Sequence, residues 1–233
     1  MQGVAINTPV SKCLDLASYA ARMMSKFPDN ANLTAIAAKM TAGAAELVAA
    51  QQAYEAAVDA ILPARVDVKY ENYVSDRRIR LTQQKAEIAD GKRGGRVAGL
   101  VFPEGSATIT RLLGPSQVEE MQNLEGRLAS AEASWPEASA EKVAISKLRE
   151  GYQAALESRR VAGQKARDLR AARNAAKETF VTMYAVAMSG VEGEFPRDKV
   201  TQDLFFDEVR TKSAREAADE DGEGEGAGEG EPG

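Results

Sequence analysis

Histidine is absent from this 233-residue chain. The missing imidazole removes the commonest general base and the commonest transition-metal ligand found in proteins. Catalytic triads, zinc sites of the usual kind and the Glu-x-x-His di-iron bundle all depend on it. We therefore expect no enzyme activity, no catalytic residues, no metal site and no cofactor in this protein.

Cysteine is nearly absent, since Cys13 is the only one in the chain. A lone cysteine forms no intramolecular disulfide, which is typical of a reducing compartment. Residues 1–10 contain neither a basic segment nor an apolar core, so they do not resemble a secretory signal. No uninterrupted run of about 18 apolar residues occurs, so we expect no membrane-spanning helix. These absences predict a cytoplasmic protein that does not contact a membrane.

Aromatic residues make up only 6% of the chain, whereas alanine is frequent in residues 31–60 and 154–176. Sheets depend on aromatic and β-branched side chains, while alanine is the strongest helix former. This composition therefore predicts an all-α protein whose helices pack closely.

The longest regular pattern starts at Leu33 and advances by alternating steps of four and three residues. Such spacing is typical of the seam of a coiled coil or helical bundle. The predicted seam consists of Leu33, Ala37, Met40, Ala44, Leu47, Gln51, Tyr54, Val58 and Ile61. Pro63 interrupts it, and larger apolar residues predict that a kinked helix continues the seam to about residue 90. These residues are Val66, Tyr70, Tyr73, Val74, Leu81 and Ile88.

A second long helix is predicted from about Ser139 to Met188. We therefore predict an elongated antiparallel helical bundle or coiled coil of two long and several short helices. An obligate homodimer that shares the same seam is the alternative. Phe27-Pro28 and Trp135-Pro136 each stand between a short and a long predicted helix. An internal duplication would explain this layout, and so would the helix–proline–helix order of any antiparallel helical protein.

The end of the chain differs sharply in composition from the rest. Residues 216–233 contain eight acidic residues and neither lysine nor arginine, so we predict a disordered tail. Without these eight charges the net charge of −5 becomes +3 for residues 1–215. The predicted organisation is a first helical half at 1–95, a connector at 96–115, a second helical half at 116–213 and an acidic tail at 214–233.

Two stretches of predicted helix are strongly basic, one from Arg77 to Arg96 and one from Arg159 to Lys177. In the second stretch five residues share one predicted helix face, at steps of three, four and seven. They are Arg160, Arg167, Arg170, Arg173 and Lys177. Such a face suits an acidic protein surface or a phosphate backbone, although a solvated helix face explains it as well.

Two loop motifs contain residues that could bind a ligand or a partner. The segment 91–96, Gly-Lys-Arg-Gly-Gly-Arg, lacks the earlier glycine and the hydroxyl of a phosphate-binding loop, since Ala86 and Arg93 occupy those places. We interpret it as a helix end followed by a hinge. Phe102-Pro103 and Phe195-Pro196 are interpreted as turns that insert a ring into the core.

Taken together, these features predict a non-catalytic helical scaffold or adaptor that mediates protein–protein interaction or self-assembly. The alternative is a nucleic-acid-binding protein that uses its basic helix faces without regard to base sequence.

Overall fold

The computed structural model describes residues 3–207, and within that range the chain is 80% helical and contains no strands. The helices are α1 (Val10–Met24), α2 (Ala31–Asp59), α3 (Ile61–Ala89), α4 (Arg96–Val101), α5 (Ala107–Thr110), α6 (Pro115–Ala131), α7 (Ala138–Glu194) and α8 (Lys199–Leu204). The predicted all-α class, with long helices packed against other helices, is confirmed. The predicted acidic tail at 214–233 lies outside the described residues.

Only Ala60 separates α2 from α3. The predicted interruption at Pro63 therefore takes the form of a new helix start, and the proline occupies the first turn of α3. A proline is tolerated there because the first N–H groups of a helix have no partner within the helix.

The described helices form two compact units. Unit 1 comprises the described residues of 1–49 and 174–207, and unit 2 comprises Ala50–Arg173. The division falls inside α2 and inside α7, so each of these helices contributes one part to each unit. The predicted halves at 1–95 and 116–213 therefore remain a division along the sequence, and the internal duplication is not shown.

Unit 1 has a core built by α1, the first part of α2, the last part of α7 and the segment around α8. A side chain added at Gly43 would collide with Met183, and one added at Gly190 would collide with Ile36. These two pairs show that α2 and α7 run antiparallel here and approach closely. The predicted seam positions Leu33, Met40 and Leu47 are fully buried in this core.

One end of the unit 1 core is aromatic. The ring of Phe27 lies 6.0 Å from that of Phe195 and 5.1 Å from that of Phe205, between ring centroids. Phe195 therefore packs against the core, as predicted for its turn. Cys13 is completely buried in the same core, and burial raises the pKa of its thiol.

Unit 2 is built around α3, α6 and the first part of α7, with α4 and α5 lying between α3 and α6. Phe102 is buried in this core, which confirms that its turn inserts a ring. Trp135, the single tryptophan, is also buried there.

The buried face of α3 differs from the predicted one. It is formed by smaller and partly polar residues: Ala64, Val68, Ser75, Ile79, Thr82 and Ala86. The prediction that the large apolar residues continue the seam is wrong, since Val66, Tyr70, Tyr73, Leu81 and Ile88 are exposed and Val74 is only half-buried. The seam already shifts in α2, where Ala57 is buried and Val58 is exposed. Small side chains let α7 approach α3, and Gly151 of α7 faces Glu71.

A buried carboxylate joins α3 to the first turn of α7. Glu141 is almost completely buried, and it accepts hydrogen bonds from Thr82 Oγ1 at 2.8 Å and Lys85 Nζ at 2.6 Å. Arg78 Nη2 lies 2.7 Å from Glu141 Oε2, the oxygen that also accepts the hydrogen bond from Thr82. Burial alone would raise the pKa of Glu141, but these hydrogen bonds and the charges of Arg78 and Lys85 outweigh it and hold the pKa below its ordinary value.

Substituting Glu141→Gln is expected to lower the free energy of unfolding by about 1–3 kcal/mol, because the two cations lose a buried counter-charge. The measurement is urea denaturation followed by far-UV circular dichroism. The matched control is Glu157→Gln, which removes an exposed carboxylate from the same helix and should leave stability unchanged. Equal changes in the free energy of unfolding for the two substitutions would show that the burial of Glu141 does not contribute to stability.

The same carboxylate should make stability depend on pH. Its pKa is lower in the folded chain than the ordinary value of 4.5, so its contribution is complete above about pH 4.5 and is lost as the pH falls through the lowered value. We expect the stability difference between the wild-type protein and Glu141→Gln to narrow on acidification. Urea titrations at several pH values measure it, and a constant difference would contradict the assignment.

Candidate functional site: an apolar and basic groove in unit 2

The outer face of α3 carries large apolar side chains that are exposed to solvent. Leu62 is 64% exposed, Tyr70 and Tyr73 are each 60% exposed, and Ile88 is 78% exposed. The outer face of α3 is defined by Leu62, Val66, Tyr70, Tyr73, Leu81 and Ile88. Helix α3 is thus apolar on two sides, and the side with the larger residues faces solvent.

The periodicity of α3 explains both faces. The exposed residues advance mainly by steps of four and three, which keeps them on one side of a helix with 3.6 residues per turn. The buried residues advance in the same way on the opposite side, from Ala64 to Ala86. The residues between them carry most of the charge.

At the start of α3 the outer face borders a groove. The groove is lined by the first turns of α3, the turn that precedes α6 and the first part of α7, and its volume is about 670 Å³. Leu62 and Val66 line it from α3, Leu113 lines it from the turn, and Tyr152 and Leu156 line it from α7. All of these residues belong to unit 2.

The turn that precedes α6 is held by one hydrogen bond and one special backbone conformation. Gly114 has φ 64° and ψ −140°, a region that residues with a Cβ rarely adopt. Its N–H donates a hydrogen bond of 2.8 Å to the hydroxyl of Tyr152. This arrangement leaves Leu113 71% exposed at the edge of the groove.

The groove is positively charged. Arg65 and Lys69 line it from α3, and Arg159 lines it from α7. Within residues 3–207 none of these three side chains forms a salt bridge, and none of the residues that line the groove is acidic. The groove therefore combines an apolar lining with cations that no carboxylate of its own lining neutralises.

A polar network beside the groove fixes α6 to α3. Asn72 donates a hydrogen bond of 2.6 Å to Gln117, which donates one of 2.7 Å to Asp76. Gln117 is completely buried. Burial raises the pKa of Asp76, although the hydrogen bond from Gln117 and the charge of Arg80 act in the opposite direction. The network satisfies the buried amide and holds the walls of the groove in place.

Three of the predicted contact residues are exposed on α7 in unit 2: Arg160, Arg167 and Arg170. Arg160 donates two hydrogen bonds to Glu157, at 2.8 and 2.7 Å, so a neighbouring carboxylate already neutralises it. Arg167 donates one of 2.7 Å to the side chain of Gln164. Their role in binding an acidic partner or phosphate remains a prediction.

The other two predicted contact residues are half-buried. The guanidinium carbon of Arg173 lies 4.7 Å from the centroid of the Tyr54 ring, in a cation–π contact. Lys177 belongs to unit 1, where its charge acts on the thiol of Cys13. The five predicted residues therefore do not form one equally accessible face.

The first basic stretch is also partly used inside unit 2. Arg78 and Lys85 bind Glu141, as described above. The glycine-rich segment 91–96 is closed by Asp90, whose two carboxylate oxygens accept hydrogen bonds from the N–H groups of Val97 at 3.0 Å and Ala98 at 2.8 Å. These hydrogen bonds lower the pKa of Asp90. The backbone N–H groups that could meet a phosphate there already have an anionic partner.

Among residues 3–207, no three side chains of the His, Cys, Asp and Glu types lie close enough together to hold a metal ion.

One stretch within Ala31–Ala89 has the length and composition of a membrane span, with a mean hydropathy of 1.3 over 18 residues of which 17% are buried. A helix in the core of a protein outside the membrane passes the same test, so the expectation of no membrane-spanning helix stays a prediction.

Substituting Gly114→Ala tests the turn at the edge of the groove. The positive φ should make this change cost about 1–2 kcal/mol of unfolding free energy. The matched control is Gly126→Ala in the interior of α6, where nothing lies within 4 Å of an added methyl group, and this change should stabilise by about 0.5–1 kcal/mol. Urea denaturation measures both, and effects of the same sign would refute the strained conformation of Gly114.

The groove offers apolar contact and positive charge. Comparisons with known proteins found no matching family model, no matching curated protein and no matching solved structure.

Proposed function

We propose that this protein is a non-catalytic helical scaffold or adaptor that binds another protein through unit 2. The observation that carries the proposal is the exposed outer face of α3, where Leu62, Val66, Tyr70 and Tyr73 follow one another over three helical turns. Large contiguous apolar patches on a protein surface usually mark an interaction site, whereas single exposed apolar residues do not.

The composition of this face supports a protein partner. Tyrosine is enriched in protein interfaces because it adds a large apolar contact and a hydroxyl at a low cost in conformational entropy. Removing a large apolar side chain from water contributes about 1.5–3 kcal/mol. The apolar surface of these α3 residues stays in contact with water after folding. Its burial against a partner would therefore contribute a favourable free energy of association.

The alternative of sequence-independent nucleic-acid binding is supported by the exposed Arg167 and Arg170. Glu157 neutralises Arg160, and the ring of Tyr54 engages Arg173, so fewer cations are available than the sequence suggests. Phosphate binding gains from every accessible cation, whereas an apolar face contributes nothing to it. The apolar face therefore favours the scaffold. The cytoplasmic location predicted from the sequence is part of the same proposal.

The experiment is capture of the tagged full-length protein from its native lysate, with and without nuclease treatment. We expect a protein partner in stoichiometric amount with the wild-type chain and its loss with the double substitution Tyr70→Asp and Tyr73→Asp. Both positions are exposed, so the fold should not change. The matched control is Val143→Asp with Val161→Asp, two exposed residues of α7, and it should retain the partner.

Self-assembly is measured in parallel by sedimentation velocity. A dimer of the wild-type chain that dissociates in the tyrosine variant would assign the face to self-assembly, within the same proposal. Partner recovery that is identical for all three proteins would refute a role for the outer face of α3. Recovery that depends on nucleic acid and falls after Arg167→Ala with Arg170→Ala would establish the alternative.

A further inference from the structure

The groove beside α3 permits a more specific statement about the partner, which rests on the proposed function. We infer that it binds an amphipathic helix of another protein, in which an apolar stripe is bordered by acidic residues.

The shape of the groove favours a helix. Leu62 and Val66 lie one turn apart on α3, and Leu113 of the turn before α6 and Leu156 of α7 line the same groove. A helix laid between two apolar walls contacts both through side chains spaced by three and four residues, which is the common helix-in-groove mode of recognition.

The charges of the groove specify the polar residues of that helix. Arg65 and Lys69 lie one turn apart and alternate with Leu62 and Val66 along α3, while Arg159 lines the groove from α7. Acidic residues on both borders of the partner's apolar stripe would meet these cations. Complementary charges of this kind set partner choice and orientation more than total affinity.

The contact surface continues beyond the groove along α3. Tyr70 and Tyr73 follow Val66 on the same face, and a second hollow of about 520 Å³ is lined by Tyr73, Arg77, Arg80 and Leu81 together with Asp76 and Gln84. Exposed apolar and basic residues thus recur over five helical turns, from Leu62 to Leu81, and Asp76 is the acidic residue among those that line the groove and the second hollow. A partner helix of about 18 residues would span roughly the same distance.

A second copy of this chain fits the groove less well. In a two-fold symmetric dimer the same patch meets itself, so Arg65, Lys69 and Arg159 would approach the same three cations of the other copy. Juxtaposed like charges oppose such pairing. An acidic helix of a different protein removes that conflict.

The test uses the full-length protein and a fluorescein-labelled peptide of about 18 residues, in which leucine recurs at steps of three and four and glutamate borders the leucines. Fluorescence anisotropy should show saturable binding to the wild-type chain. A peptide of the same composition with scrambled order should bind at least about tenfold more weakly, because it presents no apolar stripe. Equal binding of the two peptides would overturn the inference, since it would reflect charge alone.

Charge reversal provides a gain of binding that unfolding cannot mimic. The double substitution Arg65→Glu and Lys69→Glu should weaken the glutamate peptide by about tenfold or more and create binding to the same peptide with lysine in place of glutamate. The matched control is Arg167→Glu with Arg170→Glu, which changes the net charge equally on exposed positions of α7 and should leave binding unchanged. An equal loss in both variants would assign the binding to net charge and refute the groove.

The apolar walls are tested separately with Leu62→Ser and Val66→Ser, which should weaken the glutamate peptide by about tenfold. Val143→Ser with Val161→Ser is the control of similar exposure. Binding to anionic lipid vesicles or to a nucleic acid that depends on the groove, in place of peptide binding, would overturn the inference. A groove-dependent dimer in sedimentation velocity without peptide binding would overturn it as well.

These outcomes are separable from failure of the proposed function. If the native partner is captured through Tyr70 and Tyr73 but neither peptide binds, the scaffold stands and the acidic helix is wrong. If the peptide binds and charge reversal switches its preference, the groove is established whatever the lysate yields.

Discussion

The buried carboxylate of Glu141 determines how α3 lies against α7 in unit 2. It meets Thr82, Arg78 and Lys85, which occupy consecutive turns of α3, so only one rotation and one register of that helix satisfy all of them. A buried ion pair adds little net stability when compared with apolar residues of the same size, but a wrong register would leave it unpaired. The interaction therefore acts mainly as a constraint on which face of α3 is buried.

That constraint has a direct consequence for the opposite face. Burying Thr82 and Ser75 toward α7 turns Val66, Tyr70 and Tyr73 outward. A helix that maximised apolar burial would do the reverse, because the outward residues have the larger apolar surface. The fold of unit 2 thus leaves the larger apolar residues of α3 exposed. The interaction surface that we propose would explain this exposure.

The sequence allowed the first part of α2 to be predicted because one side of that helix is distinctly more apolar than the others. Leu33, Met40 and Leu47 recur every seven residues between alanines, and all three are buried. In α3 both sides are apolar, and side-chain size alone predicts that the larger residues are buried. The signal that decides between them is Glu141, which lies far along the chain from Thr82 and becomes its neighbour only through the tertiary fold.

The site was less predictable than the fold for a related reason. A cluster of cations in a sequence does not reveal which of them is neutralised, and Arg78 and Arg160 both have carboxylate partners in the structure. Leu113 stands in a connector without helical periodicity, so nothing in the sequence relates it to Leu62. Its position depends on the conformation of Gly114 and on the hydroxyl of Tyr152, and both become visible only in three dimensions.

The placement of the single cysteine and the single tryptophan gives each unit its own internal reporter. Cys13 is buried in the core of unit 1, and Trp135 is buried in the core of unit 2. The rate at which a thiol reagent labels the native chain therefore follows opening of unit 1, while indole fluorescence follows the packing of unit 2. The two cores can thus be observed independently in the protein of natural sequence, without an introduced cysteine or tryptophan.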